Sequence, residues 1–260
     1  MNKVTQQCLL DLNRQFYATV ADDFDSTRLN LPMGMIRALN YVRPLLVEGE
    51  NLSVLDAGCG NGRFCWALEK LEAPIDYLGI DNDQRLLDLA QTHSSQLHFV
   101  DAQFRQLDLV TLSHPNQGRL HLITLALCHL ITCFAVLHHI PSFNLRLQLV
   151  RWLASQLKPG GRLLISTWQF LNSPRLVAKQ IDWSVVGIEP EETEPGDALL
   201  PWNQGVYAIR YAHQIDEDEM RELAQEAGLL LQEIYYADGK EGNLNLYAVL
   251  EIGKSASDAG

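Results

Sequence analysis

The sequence predicts an α/β fold in which a mostly parallel sheet is covered by helices on both faces. Two observations carry this prediction: β-rich and helical segments alternate between residues 51 and 170, and a glycine-rich loop follows the first β-rich segment. A chain of 260 residues with 47% hydrophobic and 20% charged residues can bury one large core. We therefore expect a single domain over residues 1–254 and a disordered tail over residues 255–260.

The first 50 residues carry apolar side chains at helical spacing in two runs. A polar stretch at residues 22–28 and Pro32 separate the runs. We expect two helices that pack ahead of the sheet. Their apolar positions are Leu9, Leu12, Phe16 and Val20 in the first helix, and Met35, Ile36, Leu39 and Val42 in the second.

Residues 51–170 show the alternation most clearly and are predicted to form the core of the sheet. Strands that alternate with helices pair in parallel through right-handed crossovers. The predicted strands lie at residues 52–56, 77–81, 104–109, 130–136 and 162–168, and the predicted helices lie at residues 63–71, 84–91 and 145–157.

Residues 171–213 interrupt this alternation and are rich in Pro, Glu and Trp. We interpret them as an inserted lid or substrate segment. The remaining residues, 214–254, are predicted to form a helix at 216–227 and two strands at 229–236 and 244–252. A glycine-containing turn joins these two strands, and we expect the last strand to be antiparallel.

Composition and charge weigh against several classes of protein. The apolar stretch at residues 120–140 contains four histidines, which argues against a membrane span, and no signal-peptide pattern opens the chain, so a cytoplasmic protein is expected. The five cysteines form no C-x-x-C pair, which argues against a disulfide framework and a metal site. The net charge of −12 weighs against a nucleic-acid partner.

The most informative motif is the segment D-A-G-C-G-N-G, which runs from Asp56 to Gly62 between a predicted strand and a predicted helix. Glycines at alternate positions let the backbone turn tightly and approach a ligand closely. Asp81 ends the second predicted strand, where an acid can accept hydrogen bonds from both hydroxyls of a ribose. The spacing G-x-G-x-G differs from the G-x-G-x-x-G of dinucleotide-binding proteins and favours S-adenosylmethionine over NAD.

These motifs resemble those of class I S-adenosylmethionine-dependent methyltransferases, which have a Rossmann-like fold. The resemblance implies that Asp56 lies near the amino-acid part of the cofactor and that Asp81 binds its ribose. Adenine would contact Asp108, with Asp101 as the competing candidate, and either of these acids could instead cap the next helix. The implied cofactor site is completed by Gly58, Cys59, Gly60, Asn61 and Gly62 of the loop, and by Asn82 and Phe134 at the ends of the second and fourth strands.

A narrower resemblance extends over most of the chain. Four segments are similar to those of the eukaryotic tRNA wobble-uridine carboxymethyl methyltransferases: F-D-S-T-R at 24–28, F-A-V-L-H-H-I-P at 134–141, G-D-A-L-L-P-W at 196–202 and R-Y-A-H at 210–213. That resemblance implies methyl-ester formation on a carboxymethylated wobble uridine of tRNA, with a small activating protein as a partner. Two features depart from the family pattern: residues 111–129 are longer and more apolar, and Ala212 replaces an aromatic residue.

Three candidates for contact with the methyl acceptor come from the first two thirds of the chain. Arg28 could hold an acceptor carboxylate or phosphate, or pair with the neighbouring aspartates. His138 and His139 follow the fourth predicted strand, where ligands of α/β proteins bind. A carboxylate acceptor has a pKa of ~4 and needs no base, whereas an amine or hydroxyl acceptor needs one, and a histidine is the candidate.

Three further candidates lie at residues 210–213. In an extended segment Tyr211 and His213 point to one side and Arg210 points to the other. All three therefore cannot line one wall of a site without a bend. Tyr211 with His213 is the better pair for an acceptor site, and His213 is also a candidate base.

Three functions follow from these observations. The first is a carboxyl O-methyltransferase that acts on tRNA, which the acidic charge opposes. The second is a small-molecule methyltransferase in which residues 171–213 close over a metabolite. The third is a non-catalytic module that binds S-adenosylmethionine and serves as a partner for another subunit.

Overall fold

The computed structural model describes residues 1–26, 30–113 and 126–252. Within these ranges lie nine strands and eight α-helices. The strands are β1 (Leu52–Ala57), β2 (Ile75–Asp81), β3 (Val100–Gln106), β4 (Cys128–Phe134), β5 (Leu157–Trp168), β6 (Asp197–Gln204), β7 (Val206–His213), β8 (Leu229–Ala237) and β9 (Asn245–Ile252). The helices are α1 (Lys3–Ser26), α2 (Met33–Val42), α3 (Arg63–Glu69), α4 (Gln84–Ser94), α5 (Leu109–Ser113), α6 (Phe143–Ser155), α7 (Pro174–Val177) and α8 (Glu217–Glu226).

Seven of these strands form one sheet in the order β3-β2-β1-β4-β5-β9-β8. The first five run parallel, and β9 lies antiparallel between β5 and β8. The predicted fold, a mostly parallel α/β sheet with an antiparallel last strand, is confirmed. The order of the strands reverses between β1 and β4, and the crevice at the carboxyl ends of such strands is where open α/β sheets bind ligands.

The central strands form because their side chains are apolar on both faces. Leu52, Val54 and Leu55 of β1 are buried, and so are Leu130 and Ile131 of β4. A strand that is covered by helices on both faces carries a continuous hydrophobic run of this kind. Burial of these runs fixes β1 beside β4, so their carboxyl ends lie together.

Several predicted strand boundaries are wrong, and the strand predicted at residues 162–168 begins at Leu157. The sequence predicts the third strand at residues 104–109, but β3 begins at Val100, which pairs with Ile75 of β2. β3 is an edge strand with several exposed polar side chains, so its apolar pattern is weak. The fourth strand, predicted at residues 130–136, ends at Phe134 because Ala135 has a φ angle of 58°, which an extended strand cannot contain.

The N-terminal helices are present as predicted, but the first is longer. α1 continues through the beginning of the polar stretch that the sequence predicts as a break. Leu9, Phe16 and Val20 of α1 are buried, and the helix packs against β7. α2 buries Met35 and Leu39 and packs against α3 and the two antiparallel strands. Thus α1 extends from the β6–β7 hairpin toward the carboxyl edge of the sheet.

Residues 171–213 contain α7, several short helical turns and the β6–β7 hairpin, which is a two-stranded sheet of its own. Arg146 of α6, only 1% exposed, ties this segment to the core. Its guanidinium lies 2.9 Å from Glu194 before β6 and 2.7 Å from Glu219 of α8, and it also donates to the carbonyl of Ile140. A buried guanidinium requires such partners, so this network holds the hairpin against α6 and α8.

Several other expectations concern single features of the chain. No helix among the described residues is long and apolar enough to cross a membrane. The five cysteines are free thiols, and the described residues contain no cluster of three or more metal-binding side chains. The predicted tail at residues 255–260 lies outside the described residues.

Candidate cofactor and acceptor site

The glycine loop is attached to β2 by its own backbone. The amides of Gly58 and Cys59 donate to the carbonyl of Ile80 at 2.7 and 3.0 Å. Gly58 has a φ of +79°, and a Cβ atom there would lie 2.2 Å from Cγ2 of Val136. Only glycine fits at this position, because a side chain would collide with the segment that follows β4.

The other two glycines of the loop differ in what surrounds them. At Gly62, with φ of +77°, an added Cβ would lie 3.0 Å from Cβ of Ala90, so this glycine lets α3 approach α4. At Gly60, with φ of +53°, an added Cβ would meet no atom within 4 Å. The backbone at Gly60 therefore faces open space, as a loop over which a ligand passes requires.

Asp81 joins the end of β2 to this loop. Its Oδ2 accepts from the amide of Gly60 at 2.9 Å, and its Oδ1 accepts from the amide of Asp83 at 3.0 Å. Burial raises the pKa of Asp81, although the hydrogen bonds from the backbone lower it. An ionised carboxylate has about four lone-pair positions, so Asp81 can still accept hydrogen bonds from hydroxyl groups of a ligand.

Asp56 is buried inside the sheet rather than exposed above the loop. Its Oδ2 accepts from the hydroxyl of Tyr77 at 2.6 Å, and its Oδ1 accepts from Oγ1 of Thr132 at 2.7 Å. Burial raises the pKa of Asp56 to about 6, although both hydrogen bonds lower it. Asp56 thus holds β1 to its two neighbouring strands. Tyr77 and Thr132 are absent from the sequence prediction, although a buried acid at a central strand end needs donors from the flanking strands.

Asp108 and Asp101 lie at opposite edges of the sheet. Asp101 is the second residue of β3 and pairs with Asp76 at the start of β2, so it is at the amino edge, far from the loop. The interpretation of Asp101 as an adenine contact is therefore wrong. Asp108 follows β3 at the carboxyl edge, where its Oδ1 accepts from the amide of Thr111 at 3.0 Å and caps α5.

A cleft of 460 Å³ opens beside Asp108. One wall belongs to α1, from which Arg14 forms an ion pair of 2.8 Å with Oδ2 of Asp108. Sequence analysis misses Arg14, because helical spacing does not indicate which polar face of α1 lies over the sheet. The lining residues are Arg14, Ala18, Asn82, Asp83, Gln106, Leu107 and Asp108.

His138 and His139 form a helical turn after β4, with ring centroids 4.2 Å apart. Nδ1 of His138 accepts from the amide of Trp168 at 3.2 Å. Burial lowers the pKa of both rings, to about 3 in His139 and well below the ordinary value in His138, and the charge of Arg210 lowers both further. Both histidines are therefore neutral at physiological pH.

Arg210 lies on the opposite side of β7 from Tyr211 and His213, as strand geometry predicts. Its guanidinium carbon is 4.3 Å from the ring centroid of Trp168, at the end of β5, and it is 5.4 Å from that of Phe16. The ring of Trp202 is 5.9 Å away. Arg210 thus presents a positive charge among aromatic rings at the carboxyl edge of the sheet, close to His138.

Tyr211 and His213 share a carboxylate instead of lining this edge. Oδ1 of Asp197 accepts from the hydroxyl of Tyr211 and from Nδ1 of His213, both at 2.7 Å, and Nε2 of His213 lies 2.7 Å from Glu219. Both side chains are buried, and the carboxylates occupy their polar atoms. The structure therefore gives no support to the preference for this pair, because its polar atoms are engaged within the protein.

Phe134 and Arg28 are the remaining predicted site residues. Phe134 is buried and packs edge-on against Phe64, with centroids 5.0 Å apart, and against Tyr247, so its ring lies mainly in the core. Arg28 lies outside the described residues.

The parallel sheet, its glycine loop and the acid at the end of β2 define a class I methyltransferase, and the open backbone at Gly60 fits the S-adenosylmethionine that this class uses. A family model described as a methyltransferase domain matches residues 28–234. This is most of the chain, and the chain belongs to that family. It is a methyltransferase whose cofactor is S-adenosylmethionine.

Curated relatives with similar sequences are ubiquinone biosynthesis O-methyltransferases. One from Coxiella burnetii is 27% identical over 213 residues, covering 78% of this chain and 77% of that protein. Another, from Albidiferax ferrireducens, is 27% identical over 163 residues and is matched over only 57% of its own length, with 60% of this chain covered. These relatives do not support the narrower resemblance to tRNA wobble-uridine enzymes.

Solved structures share the fold. An S-adenosylmethionine-dependent methyltransferase from Clostridium acetobutylicum has a TM-score of 0.61 at 14% identity, with 92% of this chain and 99% of that chain covered. The N-methyltransferase NodS from Bradyrhizobium japonicum, in complex with S-adenosyl-L-homocysteine, has a TM-score of 0.57 at 17% identity. The match covers 94% of this chain and 99% of that chain. At these identities the likeness concerns the fold alone.

Proposed function

We propose that this methyltransferase transfers a methyl group to an oxygen atom of a small molecule. The observation that carries the proposal is the cover over the carboxyl edge of the sheet, formed by α1 and the β6–β7 hairpin. The hydroxyl of Tyr17 in α1 lies 2.8 Å from Nε2 of His139. The side chain of Asn13 forms hydrogen bonds with both the carbonyl of His139 and the amide of Tyr211. A covered edge suits a small acceptor better than a folded RNA. The names of the curated relatives support oxygen as the acceptor atom.

We assign the cofactor to the loop and to the cleft beside it. In this assignment the backbone of Gly58, Gly60 and Gly62 passes along the cofactor, and Asp81 binds the ribose hydroxyls. The cleft that Arg14, Asp108 and their neighbours line receives the adenine. Asp56 acts as a positioning residue that holds β1. Cys59, Asn61 and Asn82 are neighbours of this path, and Phe134 supports it from below.

The acceptor would lie at the ends of β4 and β5, beside His138 and Arg210. When bound, S-adenosylmethionine supplies a methyl group on a positively charged sulfur. The transfer is a displacement whose rate depends mainly on alignment of the reacting atoms, so the chain contributes chiefly by holding the acceptor and excluding water. The rings of Phe16, Trp168 and Trp202 give this region an apolar wall.

An experiment with labelled cofactor distinguishes the two acceptor classes. Purified protein is incubated with S-adenosylmethionine that carries a tritiated methyl group, with either a protein-free extract of small metabolites or total unmodified tRNA. We expect the label in the small-molecule fraction, in a product resistant to ribonuclease, and no transfer by the Asp81→Ala variant. Label only in ribonuclease-sensitive material would contradict the proposal and restore the tRNA hypothesis.

A further inference from the structure

We propose that the acceptor reaches this site with its oxygen already ionised, because no described histidine at the carboxyl edge offers a free basic nitrogen. The inference rests on the proposed function and narrows its substrate class to oxygen acids: carboxylates, or phenols and enols that are acidic enough to ionise near neutral pH. The candidate bases are His138, His139 and His213, and the hydrogen bonds of each ring show why it cannot serve.

His139 uses both of its ring nitrogens within the protein. Nδ1 lies 3.0 Å from the carbonyl oxygen of Tyr211, and a carbonyl only accepts, so Nδ1 carries the proton. In the neutral ring Nε2 is then the acceptor, and it receives the hydroxyl of Tyr17 at 2.8 Å. This histidine joins α1 to β7 and has no nitrogen left for a substrate proton.

His138 has the opposite tautomer. The backbone amide of Trp168 can only donate, so Nδ1 of His138 accepts and is unprotonated. The neutral ring therefore carries its proton on Nε2, which makes that nitrogen a hydrogen-bond donor. A donor can stabilise an acceptor oxygen that is already negative, but it cannot remove a proton from a neutral hydroxyl.

His213 is excluded for a third reason. Its two nitrogens each face a carboxylate oxygen at 2.7 Å, from Asp197 of β6 and Glu219 of α8, and a carboxylate only accepts. Both nitrogens therefore carry protons and the ring is a buried cation. Three carboxylates at the edge are also engaged. Asp56 accepts from Tyr77 and Thr132, Asp108 pairs with Arg14, and Asp81, which we assign to the ribose, accepts from the amides of Gly60 and Asp83.

The charge beside His138 has the sign that an ionised acceptor needs. Arg210 is fixed among Trp168, Trp202 and Phe16, and a nearby positive charge favours the deprotonated form of an oxygen acid. In the transfer, the acceptor oxygen provides the electron pair of the new O–CH₃ bond, and the pair of the broken C–S bond remains on sulfur. An anion and a sulfonium become a neutral ester or ether and a thioether, so no proton must leave the site.

The protonation pattern can be tested without a substrate. The 260-residue protein is labelled with ¹⁵N in histidine and saturated with S-adenosylhomocysteine. It is titrated by NMR between about pH 5 and pH 8, the range in which an ordinary histidine changes charge. We expect a protonated Nε2 and unprotonated Nδ1 in His138, the reverse in His139, and two protonated nitrogens in His213. The His138→Gln variant assigns one ring by loss of its signals, and exposed His98, changed to Gln, provides a matched control.

A His138 ring that carries its proton on Nδ1, or that titrates within this range, would overturn the proposal. If His138→Gln does not fold, the ring signals of His138 can be assigned in the wild-type protein. Through-bond correlations link them to the backbone signals of the same residue. The NMR result does not depend on methyl transfer, so it fails or succeeds separately from the proposed function.

Rates with graded acceptors provide the second test. Benzoate, phenol and a nitrophenol, whose hydroxyl is far more acidic than that of phenol, are compared for methyl transfer across pH. Any phenolic rate should rise about tenfold per pH unit up to the acceptor's own pKa, and a benzoate rate should be flat above about pH 5. A rate on neutral phenol that rises through a pKa shared by all acceptors would show an enzyme base and contradict the inference. If none of these probes is methylated, the NMR result decides.

Discussion

At the scale of single residues, backbone geometry and burial decide which positions have room for a ligand. At Gly58 the side chain of Val136 leaves no room for a Cβ atom, and at Gly62 Ala90 makes a tight contact, whereas Gly60 borders open space. The sequence predicts all three from their spacing but cannot separate them, because their neighbours, Val136 and Ala90, come from other parts of the fold. The same limit applies to Tyr211 and His213, whose partners Asp197 and Glu219 come from other elements of the fold.

Gly60→Ala should impair cofactor binding without unfolding the protein. The new Cβ meets no protein atom, so the loss of stability should be only the cost of a left-handed alanine, about 1–2 kcal/mol. The methyl group would occupy the path that we assign to the cofactor, and the affinity for S-adenosylhomocysteine should fall at least about tenfold. Gly160→Ala is the matched control: its φ is +75°, an added Cβ also meets open space, and the residue lies near the start of β5, where the pairing with β4 is irregular. Equal affinities for the two variants would refute the assignment of Gly60.

His213 should make stability depend on pH in a defined direction. Burial alone lowers the pKa of His213, but the hydrogen bonds with Asp197 and Glu219 raise it above the ordinary value. Because the pKa of His213 is higher in the folded than in the unfolded protein, its charge stabilises the folded state. This stabilisation is complete below the unfolded-state pKa of about 6.5 and is lost as pH rises through the folded-state pKa. Urea unfolding at several pH values measures the free energy of unfolding of the wild type and of the His213→Gln variant. The wild type should exceed the variant in stability by the largest amount at acidic pH. A stability difference that grows toward alkaline pH would show that His213 is not a buried cation.

At the scale of elements, α1 and the β6–β7 hairpin are held to the core by a few buried polar contacts. Periodicity predicts α1 well, because Leu9, Phe16 and Val20 form one buried face. It does not predict where the helix docks, since Asn13, Arg14 and Tyr17 look like ordinary polar positions. The hairpin is predicted only as an insertion, because its strands pair with each other and break the α/β alternation.

Asn13→Ala should loosen α1. Oδ1 of Asn13 accepts from the amide of Tyr211 at 2.9 Å, and its Nδ2 donates to the carbonyl of His139 at 3.1 Å. Two buried backbone groups would lose their partners, at a cost of about 2–4 kcal/mol in the free energy of unfolding. Gln15→Ala, on the exposed side of the same helix, should change it by less than about 0.5 kcal/mol. Urea denaturation measures both, and similar values would show that Asn13 does not anchor the helix.

At the scale of the whole molecule, the order of the strands accounts for the position of the site. The sequence alone predicts the alternation of strands and helices, the glycine loop and the acid at the end of β2, because each depends on residues close in the chain. The spatial order β3-β2-β1-β4-β5, which brings Asp81, Asp108 and His138 to one edge, depends on contacts between distant segments. The pairing of Asp101 with Asp76, which places Asp101 at the opposite edge of the sheet, is likewise a contact between distant segments.

The central claim, that this edge binds S-adenosylmethionine for methyl transfer, is tested most directly by calorimetric titration with S-adenosylhomocysteine. We expect the wild-type protein to bind at about micromolar concentration, and Asp81→Ala to weaken binding at least about tenfold, equivalent to ~1.4 kcal/mol. Asp101→Ala, which removes an acid at the amino edge of the same sheet, should bind as the wild type does. Absence of binding by the folded wild-type protein, or equal losses in the two variants, would contradict the account.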